Sequence, residues 1–195
     1  MSSSLHTGTA GTVADTTGSA RGLRNLYYAR FGFAAVWSVS VALITDPLAP
    51  AGIALLVLYP LFDVAAAVID FRTSGAARPR GALYLNMASS LLAALGVAVA
   101  VTSGVSDVLR VWGVWAITAG IVQLIVAITR YRVGGQWPMM LSGAISALAG
   151  TSFITGADAP HPTLTVVAGY AALGGIFFLI SAMRLQFLAA QRHSQ

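Results

Sequence analysis

The chain contains no cysteine, no lysine and no glutamate. Disulfides, thiolate ligands and thiol nucleophiles are therefore excluded. All eleven basic residues are arginine and all six acidic residues are aspartate. Charge of either sign is scarce, on 9% of the 195 residues against about 25% in soluble domains. With 57% hydrophobic residues and a mean hydropathy of +0.79, too little polar surface remains to cover a water-soluble fold. Catalytic signatures are missing as well: there is no His-Glu-x-x-His, no Gly-x-Ser-x-Gly and no phosphate-loop pattern. His6 and His193 lie in the tails, and Asp158 with His161 makes too small a set for a metal site. Ser142 has no histidine partner within a span. These absences predict a non-enzyme with no catalytic residue, no metal and no cofactor.

What is present is apolar length. Residues 1–25 are polar and small, and read as a disordered tail, because so little apolar surface cannot offset chain entropy. Six apolar blocks follow: Leu26–Thr45, Ala51–Phe71, Ala82–Thr102, Val108–Thr129, Trp137–Thr155 and Leu164–Met183. Each approaches the roughly 17–25 residues that a helix needs to cross a bilayer core. Strands rarely exceed about ten residues. The expected fold is an all-α integral membrane protein. Six transmembrane helices would occupy residues 26–187, with a short tail at 188–195.

The arginines give an orientation. Arg21 and Arg24 precede the first block, Arg72, Arg78 and Arg80 separate the second and third, Arg130 and Arg132 the fourth and fifth, and Arg184 and Arg192 follow the sixth. The other breaks hold Asp46, Asp107 and Asp158, with Arg110 as the exception just inside block four. The positive-inside rule then puts both termini in the cytoplasm. Arginines spread over four juxtamembrane segments form no single basic face, which argues against nucleic acid as a partner. The predicted partner is the lipid bilayer. Trp112 and Trp115 are expected at the outer interface, and Arg130, Arg132 and Trp137 at the inner one, as anchors.

A repeat runs through the spans. Tyr28 and Arg30 align with Tyr84 and Asn86 at a shift of 56, and a further 56 leads to Ser142. Asp63 aligns with Ala119 and Gly174. Three parallel helical hairpins are the expected architecture. Small residues recur at four-residue spacing: Ser142, Ser146 and Gly150, Gly143 with Ala147, Ala116 with Gly120, and Ala171 with Gly175. Such stripes let helices approach closely in lipid, either within the chain or in a homo-oligomer.

The deeper polar residues form the candidate site. Asp63 lies well inside block two, about 12 Å from its end at 1.5 Å per residue. A carboxylate there costs roughly 2.5–3.5 kcal/mol to insert, so it should face protein or water. Asp70 shares its face nearer the interface, and Arg30 enters from the same side. An Arg30 pair with Asp63 or with Asp70 is geometrically open. Asn86 and Gln123 add amides in blocks three and four. One reading is a polar cluster on a proton or solute path; the other is a set of contacts that hold helices together.

The stretch "AITRYRVGGQWPMMLSGAISALAG" resembles the HdeD family of small bacterial membrane proteins. The matching features are Arg130 or Arg132 at a span end, Gly135 and Trp137 in the loop, Leu141-Ser142-Gly143, then Ser146 and Gly150. "YYARFGFAAVW", residues 27–37, looks like the first span of such proteins. The resemblance implies a multi-pass inner-membrane protein associated with acid resistance and stress response, without established catalytic residues. The alternative expectation is a small proton or solute transporter built around Asp63.

Overall fold

A computed structural model describes residues 7–44, 46–73, 80–129 and 137–193. The described chain contains six helices: α1 (Thr7–Leu43), α2 (Pro50–Thr73), α3 (Arg80–Ala100), α4 (Val105–Thr129), α5 (Trp137–Gly156) and α6 (Thr165–His193). All six include a stretch long and apolar enough to cross a membrane. Two run past the expected blocks. In α1 the helical backbone begins at Thr7, and its apolar span is Arg21–Leu43. No proline interrupts residues 7–43, so nothing stops the helix from extending into the small polar residues before Leu26. Likewise α6 continues beyond Met183 to His193.

The helix ends follow local chemistry. Pro50 opens α2, where its missing N–H is no loss. Just before it, the Asp46 carboxylate accepts the Leu48 N–H at 3.1 Å. Gly104 turns the chain from α3 into α4 with φ +114°, a conformation that side chains disfavour. At the start of α6, Thr163 Oγ1 accepts the Thr165 N–H at 3.3 Å.

Each helix packs on its sequence neighbours, and α1 packs on α6, so the six close into a ring. The pairings are antiparallel throughout. Tyr28 meets Gln186 across α1 and α6, and Phe71 meets Tyr84 across α2 and α3. Val111 abuts Gly96 across α3 and α4. We call proximal the end where α1 begins and α6 finishes, and distal the opposite end.

The closest approach is between α4 and α5. A Cβ placed on Gly120 would lie 2.5 Å from the Gly143 carbonyl oxygen, and one on Gly150 would lie 2.5 Å from that of Gly113. These glycines are seven residues apart on each helix, two turns, and the four-residue steps Ala116–Gly120 and Ser146–Gly150 expected from the sequence fall within those stretches, all buried. Ser146 sits against the same crossing, 3.1 Å from the Gly120 position. Between α6 and α1, Gly175 lies 3.1 Å by the same measure from Ala34 Cβ. Ala116 and Ala171 are both fully buried.

The distal half of the ring is filled. Trp37, Leu56, Val97, Val108, Leu109, Trp112, Phe153 and Val167 form one apolar core there. The outside of the ring is apolar too: Val36, Leu43, Leu92, Val99 and Leu148 are all exposed. A soluble protein rarely shows so much apolar surface; a helix in lipid needs it.

Candidate functional site

The proximal half of the ring encloses a cavity of about 440 Å³ lined by all six helices. Its deepest lining residues are Tyr59, Trp115 and Tyr170, which separate it from the distal core. Tyr59 packs on Trp112 and Trp115, with ring centroids 5.4 and 6.1 Å apart. The walls carry Arg30, Asp63, Asp70, Asn86, Gln123, Ser142 and Ser181, with Arg184 furthest from the aromatic floor.

Asp63 is the hub of the polar cluster. Its Oδ1 accepts from Arg30 Nη2 in an ion pair between side chains 14% and 13% exposed. Its Oδ2 accepts from Asn86 Nδ2 at 2.9 Å and from Ser90 Oγ at 2.7 Å. Trp115 Nε1 donates to Ser90 Oγ at 3.2 Å. The Arg30 guanidinium also lies over the Phe178 ring, 4.4 Å from its centroid, a favourable cation–π placement. Five helices thus converge on one ion pair. Each polar group lost to lipid would cost free energy, so this convergence ties the ring together.

Pro60, one turn before Asp63, is fully buried inside α2. It cannot donate to the Leu56 carbonyl. One residue earlier, the Leu55 carbonyl accepts the Trp37 indole N–H at 2.7 Å, joining α1 to α2.

The expected cluster is largely assembled. Arg30, Asp63 and Asn86 meet directly. Asp70, placed near the interface by depth alone, is only 3% exposed and faces the cavity, because seven residues return it to the inward face of Asp63. Gln123 lines the cavity without bonding to Asp63. Ser90 was not singled out, although it lies one turn after Asn86 on the same face. Tyr170 was missed too; its hydroxyl and Ser146 Oγ share a hydrogen bond at 3.1 Å.

The anchors divide. Trp137, the first residue of α5, is 67% exposed on the outside of the ring. Trp112 is instead completely buried in the core, stacked on Trp37 at 5.5 Å, and Trp115 lines the cavity. Both rings lie on the inward face of α4, so neither reaches the outer surface that an interfacial belt requires. Arg130 and Arg132, with Gly135, lie outside the described residues. At the distal end, the exceptional Arg110 pairs with Asp107 and, at 2.6 Å, with Asp158. Ser142 faces the cavity, while Gly143 and Gly150 face α4.

Comparison with protein-family models, with curated proteins and with solved structures finds no match for this chain.

Proposed function

We propose that this chain is a multi-pass protein of the bacterial cytoplasmic membrane that binds a small solute in its proximal cavity, as a carrier would. The observation that carries the reading is the shape of the ring. It has a cavity with polar walls in one half and a packed apolar core in the other. A water-filled channel would need an opening at both ends; a one-ended cavity fits a binding step. The arginine distribution supports a cytoplasmic proximal end and cytoplasmic termini. A reporter active only in the cytoplasm should work after Gln195 and fail within Asp46–Pro50.

The ring is further read as three repeated hairpins around one axis. Several equivalent positions, 55 or 56 residues apart, support this. Arg30, Asn86 and Ser142 all line the cavity, as do Asp63, Ala119 and Gly174, and Tyr59, Trp115 and Tyr170. The Trp115–Ser90 bond in one hairpin has its counterpart in Tyr170–Ser146 in the next. Gly120 facing Ser146 corresponds to Gly175 facing Ala34. Parallel repeats about an axis along the membrane normal are a known carrier design.

A second reading is a non-enzymatic, stress-associated protein of the HdeD type. It is favoured by the saturation of Asp63 with three donors, which is what a purely structural pair would show. Proteoliposome flux of protons and small polar solutes separates the two. The carrier reading expects flux above empty vesicles and a change with Asp63→Asn. Flux equal to empty vesicles would leave the second.

A further inference from the structure

We infer that the cavity takes a small organic anion in which an aromatic or aliphatic body carries a single carboxylate; this rests on the solute-binding reading above. The floor decides the body. Tyr59, Trp115 and Tyr170 present three aromatic rings at the deepest level of the cavity. Flat apolar groups stack well on such surfaces, with about 0.5–1.5 kcal/mol gained per aromatic pair. A volume of about 440 Å³ lies at the lower end of ligand pockets, which run roughly from 300 to 1,000 Å³.

The free polar groups decide the charge. Both carboxylates on the lining are already engaged: Asp63 by Arg30, Asn86 and Ser90, and Asp70 by interactions of its own. An organic cation would have to displace Arg30 from the carboxylate and from the Phe178 face together. Donors, by contrast, are in reserve. The Gln123 amide and the Ser142 hydroxyl line the cavity with no hydrogen bond among the described residues. Arg184 also lines the cavity, makes no ion pair among the described residues, and stands on the proximal side of these donors.

Helix rise sets the length. Ser142 is one turn, about 6 Å, proximal to Ser146, which bonds the floor residue Tyr170. Gln123 is eight residues, about 12 Å, proximal to Trp115. A ring resting on the floor with a short chain of two or three carbons therefore brings its carboxylate to these two donors. Arg184 supplies the attractive field on the way in.

The test is calorimetric titration of the purified full chain in nanodiscs with four probes: 3-phenylpropionate, its neutral amide, phenylpropylammonium and acetate. The carboxylate should bind best, the amide at least about tenfold more weakly, and the ammonium and acetate more weakly still. Gly174 lines the cavity, and a Cβ there meets nothing within 4 Å. Gly174→Leu should therefore abolish binding without lowering the melting temperature. Gln123→Leu should erase the preference for carboxylate over amide. Arg184→Gln should weaken the carboxylate at low salt and make little difference at high salt. Ammonium or amide binding equal to the carboxylate, and blocked by Gly174→Leu, overturns the anion assignment while the solute-binding reading stands. Carboxylate binding that survives Gly174→Leu overturns the location. No heat from any probe overturns the inference, and the flux assay then decides the broader reading separately.

Discussion

Gly120→Ala should destabilise the protein by about 1–3 kcal/mol, the usual cost of forcing extra volume into a packed contact. Its added methyl would lie 2.5 Å from the Gly143 carbonyl oxygen, 2.8 Å from the Ala147 nitrogen and 3.1 Å from Ser146 Cβ. The first two are backbone atoms of α5, so no side chain can swing aside. Relief requires α4 and α5 to separate by close to an ångström, which loosens contacts along the whole crossing. Gly174→Ala is the matched control. Its methyl meets nothing within 4 Å, and alanine is favoured over glycine in a helix interior by about 1 kcal/mol. It should therefore leave stability unchanged or raise it. Reversible unfolding in bicelles, read by tryptophan fluorescence, would measure both. Gly143→Ala strains the same crossing from the other side, so the double variant should cost less than the two single costs added. A Gly120→Ala protein as stable as the wild type, or a Gly174→Ala protein as damaged as Gly120→Ala, would refute this account of the crossing.

Three further outcomes can be checked. Asp63→Ala should destabilise by roughly 3–5 kcal/mol, because it strands the Arg30 charge, and adding Arg30→Leu should restore much of the loss in the same unfolding assay. Trp37→Phe loses the hydrogen bond to the Leu55 carbonyl, whereas the buried Trp112 indole N–H has no hydrogen-bond partner among the described residues. With similar volume lost from both, Trp37→Phe should therefore cost more than Trp112→Phe by about 0.5–1.5 kcal/mol. The repeat predicts that the ion pair can be moved. Asn86→Arg with Ala119→Asp, in an Arg30→Asn, Asp63→Ala background, places the new carboxylate where Ser142 and Ser146 stand as Asn86 and Ser90 do now. It should recover stability that the background alone lacks, and equal stability of the two proteins would count against the repeat.

The spans were legible because each block's length and hydropathy can be judged against lipid one helix at a time. That Arg30 would pair with an aspartate of the second span was legible, because a deep carboxylate demands a partner and few charges were available, but the choice of Asp63 over Asp70 was not. Ring closure was not: nothing in the spacing of α1 and α6 says that they touch. Trp112 was misplaced for a physical reason. An apolar ring with one polar atom suits both an interface and a core, and only the neighbours on α1 and α2 decide. The heptad of Gly113 and Gly120 against Gly143 and Gly150 was masked by the more familiar four-residue spacing beside it. That choice also depends on the crossing geometry, which one helix does not encode.

The ring is not equally tight all round. The closest pairings are α4 with α5, α1 with α6 and α2 with α3, and the looser seams are α1–α2, α3–α4 and α5–α6. Each seam is bridged by a polar contact on the cavity lining: Arg30 to Asp63, Trp115 to Ser90, and Tyr170 to Ser146. Two of these three involve floor residues, and the third stands one turn above the floor on α2. Anything that rests on the floor therefore touches the groups that hold the seams. A solute that draws a hydrogen bond from Trp115 or Tyr170 takes it from a seam, while one that only stacks leaves the bridges intact. On the carrier proposal, occupancy moves the three tight pairs apart only as far as the solute's affinity for the parted ring exceeds its affinity for the closed one. The charged bridge is the hardest to break and belongs to the α1–α2 seam alone. A ring with three equivalent seams would consequently part first at the two bridged by neutral groups, α3–α4 and α5–α6.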